Sequence, residues 1–149
     1  MEIEEGFLKY LLSEKRYSPH TVTAYKNDIS GLLYYVSDAF GIKNISGISH
    51  GMIRSWVVQL MEQAISARSI NRKITAVKTY YRYLHKYAGI TQNPTGKVQL
   101  PKVSKRLPVF VENESINSLL NDFDFGSGFP AIRNRLILEL LYNTGIRLS

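Results

Sequence analysis

The chain has 149 residues, enough for one compact domain with a core, or one domain plus part of another. It contains no cysteine, which excludes disulfides and thiolate metal sites and suits a reducing compartment. Hydrophobic residues make up 44% of it and no run approaches the roughly 18 apolar residues of a membrane span, so a soluble globular protein is expected. The start, Met1-Glu2-Ile3-Glu4-Glu5, is acidic and lacks the basic and apolar regions of a secretory signal; the expected location is the cytoplasm. The formal net charge of +7 is unevenly spread. Residues 1–50 carry five Lys/Arg against six Asp/Glu, residues 51–111 eleven against one, and residues 112–149 three against five. So one-sided a central block is the footprint of a polyanionic partner, although ribosomal and membrane-surface proteins share it.

The periodicity is helical throughout. Phe7, Leu8, Leu11 and Leu12 mark a first helix over about residues 2–15. Ser18-Pro19 reads as an N-cap followed by proline at the first helical position, opening a second helix that reaches about Phe40. Its expected core stripe is Val22, Tyr25, Ile29, Leu32, Leu33, Val36 and Phe40. Ser49 can cap a third helix carrying Ile53, Trp56, Val57, Leu60 and Met61, and Ser66 a fourth that runs to about Tyr87.

In the fourth helix Ile70, Ile74, Val77, Tyr81 and Leu84 recur at steps of four and three and form one buried stripe. At about 100° per residue, Arg68, Arg72, Thr75, Thr79, Arg82 and Lys86 project from the opposite side. Only Glu62 supplies a carboxylate between residues 51 and 111, so these cations are expected to be unpaired. A core-backed helix with outward Arg and Thr can lie on phosphates or enter a major groove. An ordinary solvated cationic face is the plain alternative.

Residues 93–111 change character. Pro94, Pro101 and Pro108 disfavour helix, and Lys97, Lys102, Lys105 and Arg106 occur with no acid, which reads as an extended basic linker tracking a polyanion backbone. From Glu112 a new unit begins, with Ile116, Leu119 and Leu120 on a short helix. The loop Gly126-Ser127-Gly128 breaks it, and a second helix over about residues 131–143 carries Ile132, Leu136, Ile137, Leu140 and Leu141; these apolar faces call for burial, which two helices from 38 residues are too small to give each other. Gly145 falls where a left-handed residue would end that helix, with Arg147 just beyond. An arginine held there can offer its planar fork to a phosphate. His20, His50 and His85 have no paired metal-ligand spacing and read as surface or capping residues; no cofactor or metal is expected.

Thr144-Gly145-Ile146-Arg147-Leu148-Ser149 resembles the box around the first catalytic arginine of tyrosine recombinases, the family of phage-type integrases and Xer-type resolvases, where the pattern continues into Glu. Ser18, Thr21, Tyr25 and Asp28 match that family's Ser-x-x-Thr-x-x-x-Tyr-x-x-Asp signature. Ser69 to Leu84, Asn93-Pro94 and Arg106-Leu107-Pro108 resemble its fourth helix and linker. The Gly126-Ser127-Gly128 loop departs from it. The resemblance covers essentially the whole chain and implies an all-α fold. Residues 1–92 would form a four-helix SAM-like core-binding domain, 93–111 a linker and 112–149 the start of a catalytic domain. It implies double-stranded DNA as partner, contacted by Thr21, Tyr25, Lys26, Arg68, Arg72, Thr75, Thr79, Arg82, Lys86, Lys102, Lys105 and Arg106. Family enzymes attack a scissile phosphate with a tyrosine, giving a 3′-phosphotyrosine and a free 5′-hydroxyl. Arginines, here Arg147, hold the non-bridging oxygens, and removing one such donor typically costs about 3–4 kcal/mol of barrier. Tyr10, Tyr25, Tyr34, Tyr35, Tyr80, Tyr81, Tyr83 and Tyr87 fall in the DNA-binding helices, so the chain is expected to bind DNA without cutting it, as a monomer, while the whole recombinase works as a tetramer on two DNA sites. The alternatives are a stand-alone helical DNA-binding module or regulator and a helical protein-interaction domain.

Overall fold

The computed structural model describes residues 5–103 and 112–147, and every regular element among them is a helix. In chain order these are α1 (Glu5–Ser13), α2 (Pro19–Phe40), a 3-10 turn (Ile45–Gly47), α3 (His50–Glu62), α4 (Ala67–Tyr87), α5 (Asn113–Asp122) and α6 (Gly128–Thr144). They fall into two compact units, residues 1–104 and 105–149.

Local chemistry sets the boundaries in the first unit. Ser18 is extended (φ −63°, ψ 153°) and its Oγ accepts from the Thr21 amide at 3.3 Å, with Pro19 following, while Gly41 closes α2 in the left-handed conformation at φ 66°. Ser49 and Ser66 cap α3 and α4 by accepting from the amides of Met52 and Ser69, at 3.4 and 3.3 Å. Each cap satisfies an amide that the first helical turn leaves without an internal partner.

The α4 stripe is the spine of the core. Ile70, Ile74, Val77, Tyr81 and Leu84 are all at most 2% exposed, and they meet Phe7 and Leu11 of α1, Ile29, Leu32 and Val36 of α2, and Ile53 and Trp56 of α3. A second flank of α4 packs aromatically on α1, with Phe7 4.8 Å from Tyr80 and 5.3 Å from Tyr83 between ring centroids. Gly6 makes this approach possible, because a Cβ there would sit 2.5 Å from the Tyr83 hydroxyl oxygen. Three residues expected in the stripes lie at their outer edge instead. Leu12, Phe40 and Met61 are 43–53% exposed, since each sits at the last turn of its helix, beyond the reach of the neighbouring helices.

Residues 93–98 form a turn packed onto the first unit rather than an extended strand. The Thr95 hydroxyl and amide both donate to Asn93 Oδ1, at 2.6 and 3.0 Å, Thr95 is buried, and Val98 joins the core.

In the second unit α6 starts at Gly128, earlier than periodicity suggests, because Pro130 in a first turn loses no internal hydrogen bond. The poor burial expected of two helices this small is what the structure has. Ile132, Leu136, Ile137 and Leu140 are 44–70% exposed, and of α6 only Ala131 is buried. Two short helices offer each other too little surface to cover such a face.

Tyr81 ties the spine to the α2–α3 connection by donating its hydroxyl to the Ile45 carbonyl at 3.1 Å. Burial pushes its phenol well above the ordinary value near 10, with Tyr80 adding to the effect. The folded state therefore holds this proton more tightly than the unfolded state. The resulting stability is fully present below about pH 10 and declines as pH rises beyond it. Tyr81→Phe should remove that alkaline loss at a cost of about 1 kcal/mol at neutral pH, read from urea midpoints on both sides of pH 10.

Candidate nucleic-acid interface

The outward side of α4 is set by one buried acid. Asp28, on α2, is 1% exposed, and its carboxylate accepts from both Arg72 and Lys73 of α4, the lysine at 3.0 Å. The expectation that Arg72 is unpaired is therefore corrected. The absence of acids within residues 63–111 holds along the sequence, but the partner comes from α2. Tyr25, one turn before Asp28, stands edge-on to Tyr17 at 5.6 Å. Burial raises the phenol of Tyr25, Tyr17 adds to this, and a hydrogen bond with Thr79 works the other way.

That hydrogen bond accounts for a second correction. Thr79 does not project outward: it is only 9% exposed and donates its hydroxyl to the Thr75 carbonyl at 2.9 Å, with Tyr25 of α2 against it. Thr21 is half-buried and belongs to the α2 cap, its hydroxyl 3.0 Å from that of Ser18. The recurring Ser18, Thr21, Tyr25 and Asp28 thus start α2, cover Thr79 and clamp α4.

Arg68, Thr75 and Arg82 remain on the open arc. Their azimuths lie within about 40° of one another on a helix of 100° per residue. All three are exposed, and neither arginine makes an ion pair among the described residues. Lys26 on α2 and Lys102 are exposed as well. Lys86 is exposed but engaged: its ammonium donates to the Tyr87 hydroxyl at 2.7 Å and lies 3.8 Å from Glu14, just after α1. The hydrogen bond to Tyr87 raises its pKa, with Glu14 adding, so it stays charged. Lys105 and Arg106 lie outside the described residues. Sequence periodicity overlooked Asn71, which donates to the Pro101 carbonyl at 3.2 Å and so fastens the Lys97–Lys102 segment to α4. Nothing along the sequence announces a contact 30 residues away.

Arg147 belongs to the second unit. Gly145 ends α6 in the left-handed conformation at φ 63°, its amide donating to Leu141 at 2.9 Å. The Thr144 hydroxyl donates to the Leu140 carbonyl at 2.5 Å and its oxygen accepts from the Ile146 amide at 3.4 Å. The chain thereby turns sharply and leaves Arg147 exposed. Among the described residues no group of His, Asp and Glu could hold a metal ion, and no helix is long and apolar enough to cross a membrane.

Residues 5–87 match the family model described as phage integrase, N-terminal SAM-like domain, and the chain belongs to that family. It is similar to the tyrosine recombinase XerC of Oceanobacillus iheyensis, 34% identical over 145 residues that cover 97% of this chain and 47% of the relative. XerC of Listeria innocua is 34% identical across 99% of this chain and 49% of its own length, and XerC of Pediococcus pentosaceus 34% across 100% and 50%. The chain spans about half the length of the curated relatives it matches.

The clamp predicts an asymmetry. The side chains of Arg72 and Lys73 are 47% and 22% exposed and can turn to water when Asp28 is lost, whereas Asp28 cannot. Arg72→Met/Lys73→Met should destabilise the fold by about 3–5 kcal/mol by stranding a buried charge, and adding Asp28→Leu should recover most of it. Urea unfolding of the two variants measures this; a double variant within about 1 kcal/mol of the parent contradicts the clamp.

Proposed function

We propose that this chain is the DNA-binding portion of a site-specific tyrosine recombinase, and that α4 carries the contact with duplex phosphates. The observation that carries this reading is the open arc of α4, where Arg68 and Arg82 stand exposed, with no ion pair among the described residues, beside Thr75 on a helix whose opposite stripe is fully buried. A rigid backing costs little side-chain and backbone ordering on binding, and two free guanidinium groups on one face can take phosphates of one strand. Family membership and the XerC relatives support the same partner. Lys26 and Lys102, with Lys105 and Arg106, extend the basic surface in this reading. Arg72 and Lys86 contribute positive potential while held by Asp28 and Glu14.

Arg147 is proposed as the first catalytic arginine of the whole enzyme, holding non-bridging oxygens as charge builds on the phosphorus. The whole recombinase would cut and rejoin DNA through a 3′-phosphotyrosine, with no metal. Residues 1–149 alone would hold DNA without bonding to it. Tyr80, Tyr81 and Tyr83 are buried, Tyr10, Tyr17, Tyr25 and Tyr35 pack against the core, Tyr34 and Tyr87 are exposed on helices of the first unit, apart from the unit of Arg147, and Tyr142, the tyrosine that shares a unit with Arg147, gives its hydroxyl to Asn113 at 2.5 Å.

Binding to a labelled duplex should weaken with log salt at about 0.9 per phosphate contacted. Arg68→Glu/Arg82→Glu should reduce affinity about 10- to 100-fold with helicity unchanged; unaltered affinity contradicts the assigned face, and no binding at about 50 mM salt favours a protein-interaction domain. A denaturing gel after incubation with a nicked duplex should reveal no covalent adduct. In the whole enzyme, Arg147→Ala should slow cleavage by about 100- to 1,000-fold.

A further inference from the structure

A groove of about 380 Å³ lies between α3 and the segment after Pro94. His50, Arg54 and Val57 line one wall, Lys97 and Val98 the other. Val57 and Val98 are core residues, so the floor is fixed, while Arg54 and Lys97 on the rim are exposed. Neither cation makes an ion pair among the described residues, and no carboxylate lines the groove. Nε2 of His50 is shielded from solvent and has no hydrogen-bond partner within the protein. Asn71 Oδ1, on the α4 side of the same segment, is likewise shielded and unpartnered, while its amide nitrogen holds Pro101.

Two free cations beside an imidazole nitrogen that lacks a partner form a site for an oxyanion. A buried polar atom left unpaired costs about 1–3 kcal/mol, and a turn of the His50 ring toward an oxyanion in the groove would let Nε2–H donate to it and recover that cost. The groove opens at its rim and presents no aromatic face for a base or acyl group, so it suits one phosphodiester of a longer polymer better than an enclosed small molecule. Lys97 and Lys102 belong to the segment that Asn71 fastens to α4, which holds this groove in the same compact unit as the open arc.

We infer that the groove of His50, Arg54 and Lys97 is a second phosphate site, which seats one backbone phosphate of duplex DNA while α4 engages its own. This rests on the DNA-binding reading of α4 and adds α3 and Lys97 to it. The site anchors rather than reads sequence, since phosphate contacts carry no base information directly.

The test uses the 149-residue chain, labelled duplexes of two unrelated sequences, and inorganic phosphate as the competing free anion. Arg54→Gln/Lys97→Gln should make the log affinity against log salt slope shallower by about one unit, equally for both sequences. The His50 side-chain nitrogen resonance should shift on adding duplex to the unaltered chain, and phosphate at matched concentration should leave it in place. An unchanged slope, an unmoved His50 resonance with duplex, or a shift produced equally by inorganic phosphate overturns the second site. If Arg68→Glu/Arg82→Glu still abolishes binding in that case, the α4 reading stands alone; if the unaltered chain binds no duplex, both fall.

Discussion

Asp28 is the constraint on which the rest of the first unit depends. A carboxylate 1% exposed cannot stay charged inside a helical core without cations close by, and α4 supplies two in succession, Arg72 and Lys73. Consecutive residues on a helix point about 100° apart, so a single acid that engages both permits only one rotation of α4 about its axis. Apolar packing alone is tolerant of small rotations, because a stripe of Ile, Val and Leu can interdigitate in more than one way. An apolar replacement of all three groups could hold the helices together about as well. What the charged version adds is azimuth, and azimuth decides which side chains face outward.

The cations of α4 and its surroundings consequently divide into two sets. Arg72 and Lys73 are held by Asp28 of α2 and Lys86 by Glu14, just after α1, and these shape the unit. Arg68, Arg82, Arg54 and Lys97 face outward without carboxylate partners among the described residues. Both sets add to the long-range field that draws a polyanion, since an ion pair cancels only part of a net excess as large as that of residues 51–111. Only the second set has side chains at liberty to meet a phosphate at contact distance. A helix whose cations were all free would repel itself, and one whose cations were all paired would have nothing to offer.

The division was half legible in the sequence, and the illegible half has a definite cause. Caps and stripes are local: Ser18-Pro19, Ser49, Ser66 and Gly145 each act within four residues, and the spine from Ile70 to Leu84 needs only the period of one helix. Thr79 and Arg72 lie about 20° apart on the same helix and read as equally outward, yet one is covered by Tyr25 and the other reaches Asp28. A helical wheel contains no information about which neighbour arrives from 44 or more residues away. The Asn71 link to Pro101 was hidden for the same reason, and with it the packing of Lys97 and Val98 beside α3. The acid responsible was nonetheless visible, because Asp28 closes the Ser-x-x-Thr-x-x-x-Tyr-x-x-Asp pattern. Its role was not, since a carboxylate on a helix reads as solvated until its burial is known.

The second unit presents its arginine on different terms. Around Arg147 the backbone is directed by Gly145 and by the two hydrogen bonds of Thr144, all of them local. These fix where the chain leaves α6, but they do not fix α6, whose Leu136, Ile137 and Leu140 are 44–53% exposed. Holding a phosphate oxygen through a transition state requires a donor placed to within about 0.5 Å, and such placement comes from packed supporting residues rather than from a cap alone. The α4 arginines already have that support in the buried stripe beneath them. In the role proposed for it, Arg147 needs comparable precision, and the same coverage of the apolar face of α6 that would stabilise this helix would also supply it.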